Sequence, residues 1–149
     1  MERTLILIKP DAMQRGLATE ILGRLERRGV RIVGLKLMQV DRELAERHYG
    51  EHRGKPFFEG LVSYITACPI IAAVLEGTNA VESVRNTMGK TNPKDAVPGT
   101  IRGDYGLEIG RNLVHGSDSV ESAEREVNLF FAPSEVLEVK RAIDPWVFE

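Results

Sequence analysis

The chain has 149 residues, 42% of them apolar and 28% charged, with a formal net charge of −2 and a pI near 6.0. That length suits one domain with a single compact core, and the balance is that of a globular protein, not a disordered or fibrous one. No global basic field is available to recruit nucleic acid, so any anion site must be local, and the lone cysteine, Cys68, excludes both an internal disulfide and a cysteine-based zinc cluster.

The first apolar run, Thr4–Ile8, reads as a buried strand stopped by Lys9 and Pro10. It is too short for a secretion signal and no later run could span a bilayer. With the single cysteine, this points to a cytoplasmic protein in a reducing compartment. Leu17, Ile21, Leu22 and Leu25 recur at helical spacing, with Gly29 as the stop. Val30–Val40 alternates as a second strand, and Asp41 is placed to cap a short polar helix reaching Tyr49. Phe57, Phe58, Leu61, Val62 and Ile65 mark another helix ending before Pro69. Ile70–Gly77 is continuously apolar apart from Glu76, as a central strand is. Asn79 and Glu82 have the spacing of a capping box, opening a helix with Val81, Val84 and Met88 inward and Gly89 behind it.

Periodicity is lost from Gly89 to Gly116, a stretch with six glycines and two prolines. Loops longer than about 12–15 residues inside a compact domain are usually functional or disordered. Ile101, Tyr105, Leu107, Ile109, Leu113 and Val114 give this one its own packing material, which argues against disorder. Ser117 or Ser119 then caps a short helix through Glu126, and Val127–Ala132 reads as the last strand. A helical segment after Pro133 and the tail "DPWVFE" complete the chain. Two strand–helix–strand units predict an α+β fold: a ferredoxin-like split βαβ, with a four-stranded antiparallel sheet covered by helices, as one domain over 1–149.

Three short motifs suggest chemistry that their context denies or weakens. "MGKT" (Met88–Thr91) lacks the upstream glycine of a phosphate-binding P-loop, and its helix precedes the Gly-Lys-Thr instead of following it. "HYGEH" matches H-x-x-E-H, so on a continuous helix His48 and His52 could hold zinc. Gly50 in its middle costs such a helix about 0.8–1.0 kcal/mol relative to alanine. "GTIRGDYG" is glycine-rich but does not spell a dinucleotide fingerprint. A fourth constellation is distributed: Lys9 after the first strand, Arg85 late in a helix, and Thr91, Arg102 and Asn112 through the long loop before His115. Cations and small donors at strand ends, helix ends and glycine-rich backbone are what a polyphosphate site requires. Taken singly, each reads better as a solvated surface group, and His115 as a turn histidine.

In order along the chain, "IKPDA", "KPFFEGL", "GKTNP", "PGTIRGDYG", "RNLVHGSDS" and "DPWVFE" resemble the nucleoside diphosphate kinase family. The N-x-x-H-G-S-D core stands intact as Asn112, His115, Gly116, Ser117 and Asp118, while Ala12 and Ile109 replace the family's common glycine and valine. The resemblance implies ping-pong transfer of the γ-phosphate of a nucleoside triphosphate, mainly ATP, to a nucleoside diphosphate, maintaining (deoxy)nucleotide pools. His115 would be the nucleophile, Glu126 the carboxylate orienting its ring, Ser117 their support, and Gly116 room for a phosphoryl group. Lys9, Tyr49, Arg85, Thr91, Arg102 and Asn112 would contact the nucleotide, Lys9 also reaching the transferred group. Phe57 would stack on the base, with Leu61 and Ile109 lining its slot. Magnesium would arrive on the substrate phosphates, Asp118 touching it through water. The expected partners are nucleoside tri- and diphosphates, with no membrane and no nucleic acid required. The expected assembly is a homo-oligomer, hexameric by the resemblance of the tail with Trp146 and Phe148, with a tetramer as the alternative. Competing readings are a non-catalytic ferredoxin-like nucleotide-binding module, and a zinc hydrolase built on His48 and His52.

Overall fold

A computed structural model describes every residue from Met1 to Glu149. Its sheet has four antiparallel strands, β1 (Glu2–Ile8), β2 (Arg31–Met38), β3 (Ile70–Gly77) and β4 (Val114–Gly116), in the order β2-β3-β1-β4. Seven helices accompany it: α1 (Pro10–Gln14), α2 (Ala18–Arg28), α3 (Arg42–His48), α4 (Phe58–Ile65), α5 (Ala80–Met88), α6 (Ile101–Tyr105) and α7 (Val120–Phe130). This is the predicted α+β, split βαβ architecture.

Alternation along the inner strands builds a core on each face. Ile6 and Ile8 of β1 with Ala73 and Leu75 of β3 meet Ile21 and Leu25 of α2 and Val84 and Met88 of α5. Leu5, Leu7, Ala72 and Val74 point the other way, onto Val62 and Ile65 of α4 and Phe130 of α7. Both inner strands are covered on two faces, which is why they read as unbroken apolar runs. Gly29 ends α2 at φ 118, a left-handed conformation that favours glycine.

Four expectations need correction. Val127–Ala132 is not a strand: α7 runs through it to Phe130, capped by Ser119, whose Oγ accepts from Ser122 N–H at 3.0 Å. Ala123, Glu126, Val127 and Phe130 fall at helical spacing and face inward, whereas the short apolar run viewed alone fits either element. The fourth strand is instead the three-residue β4, which pairs Leu7 with His115. Asn79 makes no side-chain cap and sits at φ 50; a carboxylate oxygen of Glu2 accepts from Val81 N–H of α5 at 3.2 Å. The segment after Pro133 is a single 3-10 turn (Pro133–Glu135). Within the long loop, Thr100 caps α6.

Candidate active site

Strand and helix ends converge on a cleft of about 340 Å³. Lys9 enters from the end of β1, His48 and Tyr49 from the end of α3, and Arg85 from α5. Thr91, Arg102 and Asn112 come from the loop region, His115 from β4, and Glu126 from α7. Asp118 also lines the cleft and is exposed. The predicted catalytic and phosphate-contacting residues are thus in one place, although they span the chain.

His115 Nε2 lies 2.6 Å from Glu126 Oε1. The same oxygen accepts from Ser117 Oγ at 2.9 Å, and Ser117 Oγ accepts from Leu5 N–H of β1 at 3.3 Å. Burial alone would raise the Glu126 carboxyl, but the His115 hydrogen bond and charge, with Ser117, hold it below the usual carboxylate range. An ionised carboxylate only accepts, so Nε2 carries the proton and the neutral ring keeps its lone pair on Nδ1. Ser117 and Glu126, both buried, therefore select the tautomer with Nδ1 unprotonated.

The cations are held from behind. Lys9 Nζ donates to Asn112 Oδ1 at 2.8 Å, and Asn112 Nδ2 donates to Thr91 O at 3.0 Å. Arg102 is only 4% exposed. Its guanidinium donates to the carbonyls of Asn112 (3.1 Å), Gly89 (3.0 Å) and Val114 (2.6 Å). Arg85 Nη1 donates to Gly116 O at 3.1 Å. Burial, then the Arg102 charge, lowers Lys9 to about 8. Burial, then Arg85, lowers Arg102 to about 10. Three cations gathered around one cleft suit an anionic ligand.

Phe57 and Leu61 line a second, adjoining cavity of about 940 Å³ with Gly110 and Arg111. Ile109 begins the turn (Ile109–Arg111) leading into that cavity and is exposed. The Phe57 ring lies 5.3 Å from that of His52, which also lines the cleft, so the two cavities meet there. Gly116 lines the cleft, and a Cβ on it would stand 2.6 Å from Met88 Sδ, so its bareness also admits α5.

The family model "Nucleoside diphosphate kinase" matches residues 2–136. The chain belongs to the nucleoside diphosphate kinase family. It is 61% identical to the nucleoside diphosphate kinase of Thermomicrobium roseum, across 99% of both chains. It is 58% identical to that of Carboxydothermus hydrogenoformans over the full length of both. A halophilic nucleoside diphosphate kinase from Halobacterium salinarum, solved in complex with CDP, superposes with a TM-score of 0.97 at 51% identity, covering 99% of each chain. A family member from Babesia bovis does so at 0.97 and 40% identity, covering 99% of this chain and 100% of its own. The chain is thus a phosphotransferase acting on nucleotides, and neither the zinc hydrolase nor the non-catalytic module is supported.

Geometry also removes zinc. α3 stops at His48, and Gly50–His52 is a separate 3-10 turn, so the two histidines never share a helix face. No three His, Cys, Asp or Glu side chains are arranged to hold a metal. Nucleoside diphosphate kinases, as kinases, generally need a divalent metal. Here Glu126 is committed to His115 and Ser117, which leaves exposed Asp118 and Glu51 as the other carboxylates of the cleft to meet an ion brought in on phosphate.

Sequence reasoning missed His48 as anything but a zinc candidate. It is buried, its ring centroid 4.9 Å from that of His115 at 90°. Burial, then the His115 charge, lowers it to about 3, so it stays neutral beside His115. Ser122 and Arg125 also line the cleft, one turn of α7 from Glu126 or beside it. Helical spacing from Glu126 was the available signal for Ser122.

Proposed function

We propose that Nδ1 of His115 attacks the γ-phosphorus of a bound nucleoside triphosphate, mainly ATP. The bridging oxygen leaves with the diphosphate, and the phosphohistidine then passes its group to a second nucleoside diphosphate, maintaining (deoxy)nucleotide pools. The observation that carries this reading is the His115–Glu126 hydrogen bond at the floor of a cleft ringed by Lys9, Arg85 and Arg102. Phosphoryl transfer through a loose transition state needs positioning and charge stabilisation more than covalent chemistry. Arg85, Thr91 and Arg102 hold the phosphates, while Lys9 and Asn112 reach the ribose hydroxyl and the transferred group. Tyr49 closes the wall beside them. Asp118 would meet magnesium through water, and the ion would supply charge neutralisation for the phosphates.

Phe57, 51% exposed, stacks on the base, with Leu61 and Ile109 beside it. Such an open platform accepts purines and pyrimidines alike, consistent with CDP in the Halobacterium salinarum relative. The chain acts as one domain, 1–149, in the cytoplasm; no helix is long and apolar enough to cross a membrane, and neither a membrane nor a nucleic acid is required. Leu35 and Leu37 lie exposed on the edge strand β2, and Trp146 is 89% exposed on the tail. Unpaired edges and bare aromatics invite partners, which supports a homo-oligomer, taken as a hexamer with a tetramer as the alternative outcome of sedimentation.

Incubation with γ-labelled ATP and magnesium tests the chemistry. Acid-labile, base-stable label that a nucleoside diphosphate removes is expected, and none in His115→Asn. Label retained in that variant would sink the assignment.

A further inference from the structure

The backbone between Asn112 and His115 is strained. Leu113, fully buried, sits at φ 76. Val114 N–H donates back to Asn112 O at 2.9 Å, closing a three-residue turn. A γ-turn of positive φ is the rare, strained form, and a leucine there persists only if its surroundings hold it. The surroundings are specific. Leu113 N–H donates to Asp11 Oδ2 at 3.1 Å, and Leu113 O accepts from Lys9 N–H at 2.9 Å. Asp11 Oδ1 accepts from the Tyr64 hydroxyl of α4. The Arg111 guanidinium lies 4.9 Å from the Tyr64 ring centroid. Asp11 itself is absent from the walls of the reaction cleft and lines the adjoining cavity.

We propose that Asp11 is a positioning residue for phosphoryl transfer: its carboxylate clamps the strained turn at Leu113 and so holds Asn112 and His115, on either side of that turn, in register with the substrate. Asn112 carries the contact to Lys9, and His115 must meet both Glu126 and the γ-phosphorus, so a turn relaxing toward negative φ would displace both together. Tyr64 holds the carboxylate's other oxygen and keeps it aimed. The proposal rests on His115 being the phosphate carrier.

The test compares Asp11→Ala, Asp11→Asn and Tyr64→Phe in the full-length protein, reading the single-turnover rate of His115 labelling from γ-labelled ATP, per folded molecule, beside the thermal midpoint. Asparagine can still accept from Leu113 N–H through its oxygen, so D11N should label within about threefold of the parent. D11A should label about 100-fold more slowly, the scale of a displacement near 1 Å, yet reach the same final stoichiometry. A purely structural role predicts lowered midpoints with unchanged labelling per folded molecule, and that result overturns the proposal. So does a D11N as slow as D11A, since charge rather than the clamp would then matter. Should D11A not fold, Y64F decides: labelling slowed several-fold supports the clamp, and unchanged labelling overturns it. An unlabelled parent would show differently, removing the His115 reading and this proposal with it.

Discussion

Glu126 and His115, eleven positions apart, meet at 2.6 Å because α7 folds back across β1, the strand that β4 pairs with. One carboxylate oxygen receives both Nε2–H of His115 and the hydroxyl of Ser117, so the ring has a single productive tautomer. Glu126→Ala should lower kcat by about 10- to 100-fold with little change in KM, since the effect falls on nucleophile orientation and not on nucleotide contacts. Steady-state kinetics over a range of diphosphate concentrations would check this; a rise in KM at unchanged kcat would contradict it.

Lys9 sets an upper pH limit. Its ammonium is lowered from the ordinary 10.5 to about 8, so it is charged below that pH and neutral above. The kcat/KM profile, which reports the free enzyme, should fall as pH rises through about 8. Bound polyphosphate favours the ammonium, so the kcat profile should break at higher pH. Lys9→Gln should remove the alkaline break along with most of the activity.

His48 makes folding sensitive to acid. Its folded value of about 3 lies below the ordinary 6.5, so between those limits the unfolded chain binds a proton that the folded chain refuses. Stability from this group is therefore present above 6.5 and declines as pH falls toward 3. The slope is about 1.4 kcal/mol per pH unit for one proton. Urea unfolding of the parent and of His48→Gln across that window should differ by this slope, the variant being less acid-sensitive.

Arg102 is a structural fastener as well as a cation. Three carbonyls, of Gly89, Asn112 and Val114, depend on its guanidinium. Arg102→Ala strands the Gly89 and Val114 carbonyls, while Asn112 O keeps Val114 N–H; each buried unpaired group costs about 1–3 kcal/mol. A loss of about 3 kcal/mol or more in urea unfolding is expected, with lysine rescuing little because one ammonium cannot fork to three acceptors.

By itself, the sequence determined the elements whose periodicity is long enough to read. β1 and β3 are covered on both faces and so are uniformly apolar; α2 and α5 repeat their core residues at helical spacing. The ordered motif set around His115 carried the family. Tertiary structure alone decided the rest. β4 is three residues long and exists because β1 offers it a partner, so no local pattern could separate it from the loop, while "VNLFF" fits strand or helix until α3 and β1 pack against one side of it. Gly116 is bare for Met88, a neighbour 28 positions upstream in the numbering. The same holds for the site. Lys9, Arg85 and Arg102 each read as ordinary surface charges, and only the closing of the sheet brings them around one cleft, where lost water and a neighbouring guanidinium lower the proton affinities of Lys9 and Arg102. Periodicity is local and legible, whereas convergence is a long-range property that the chain acquires on folding.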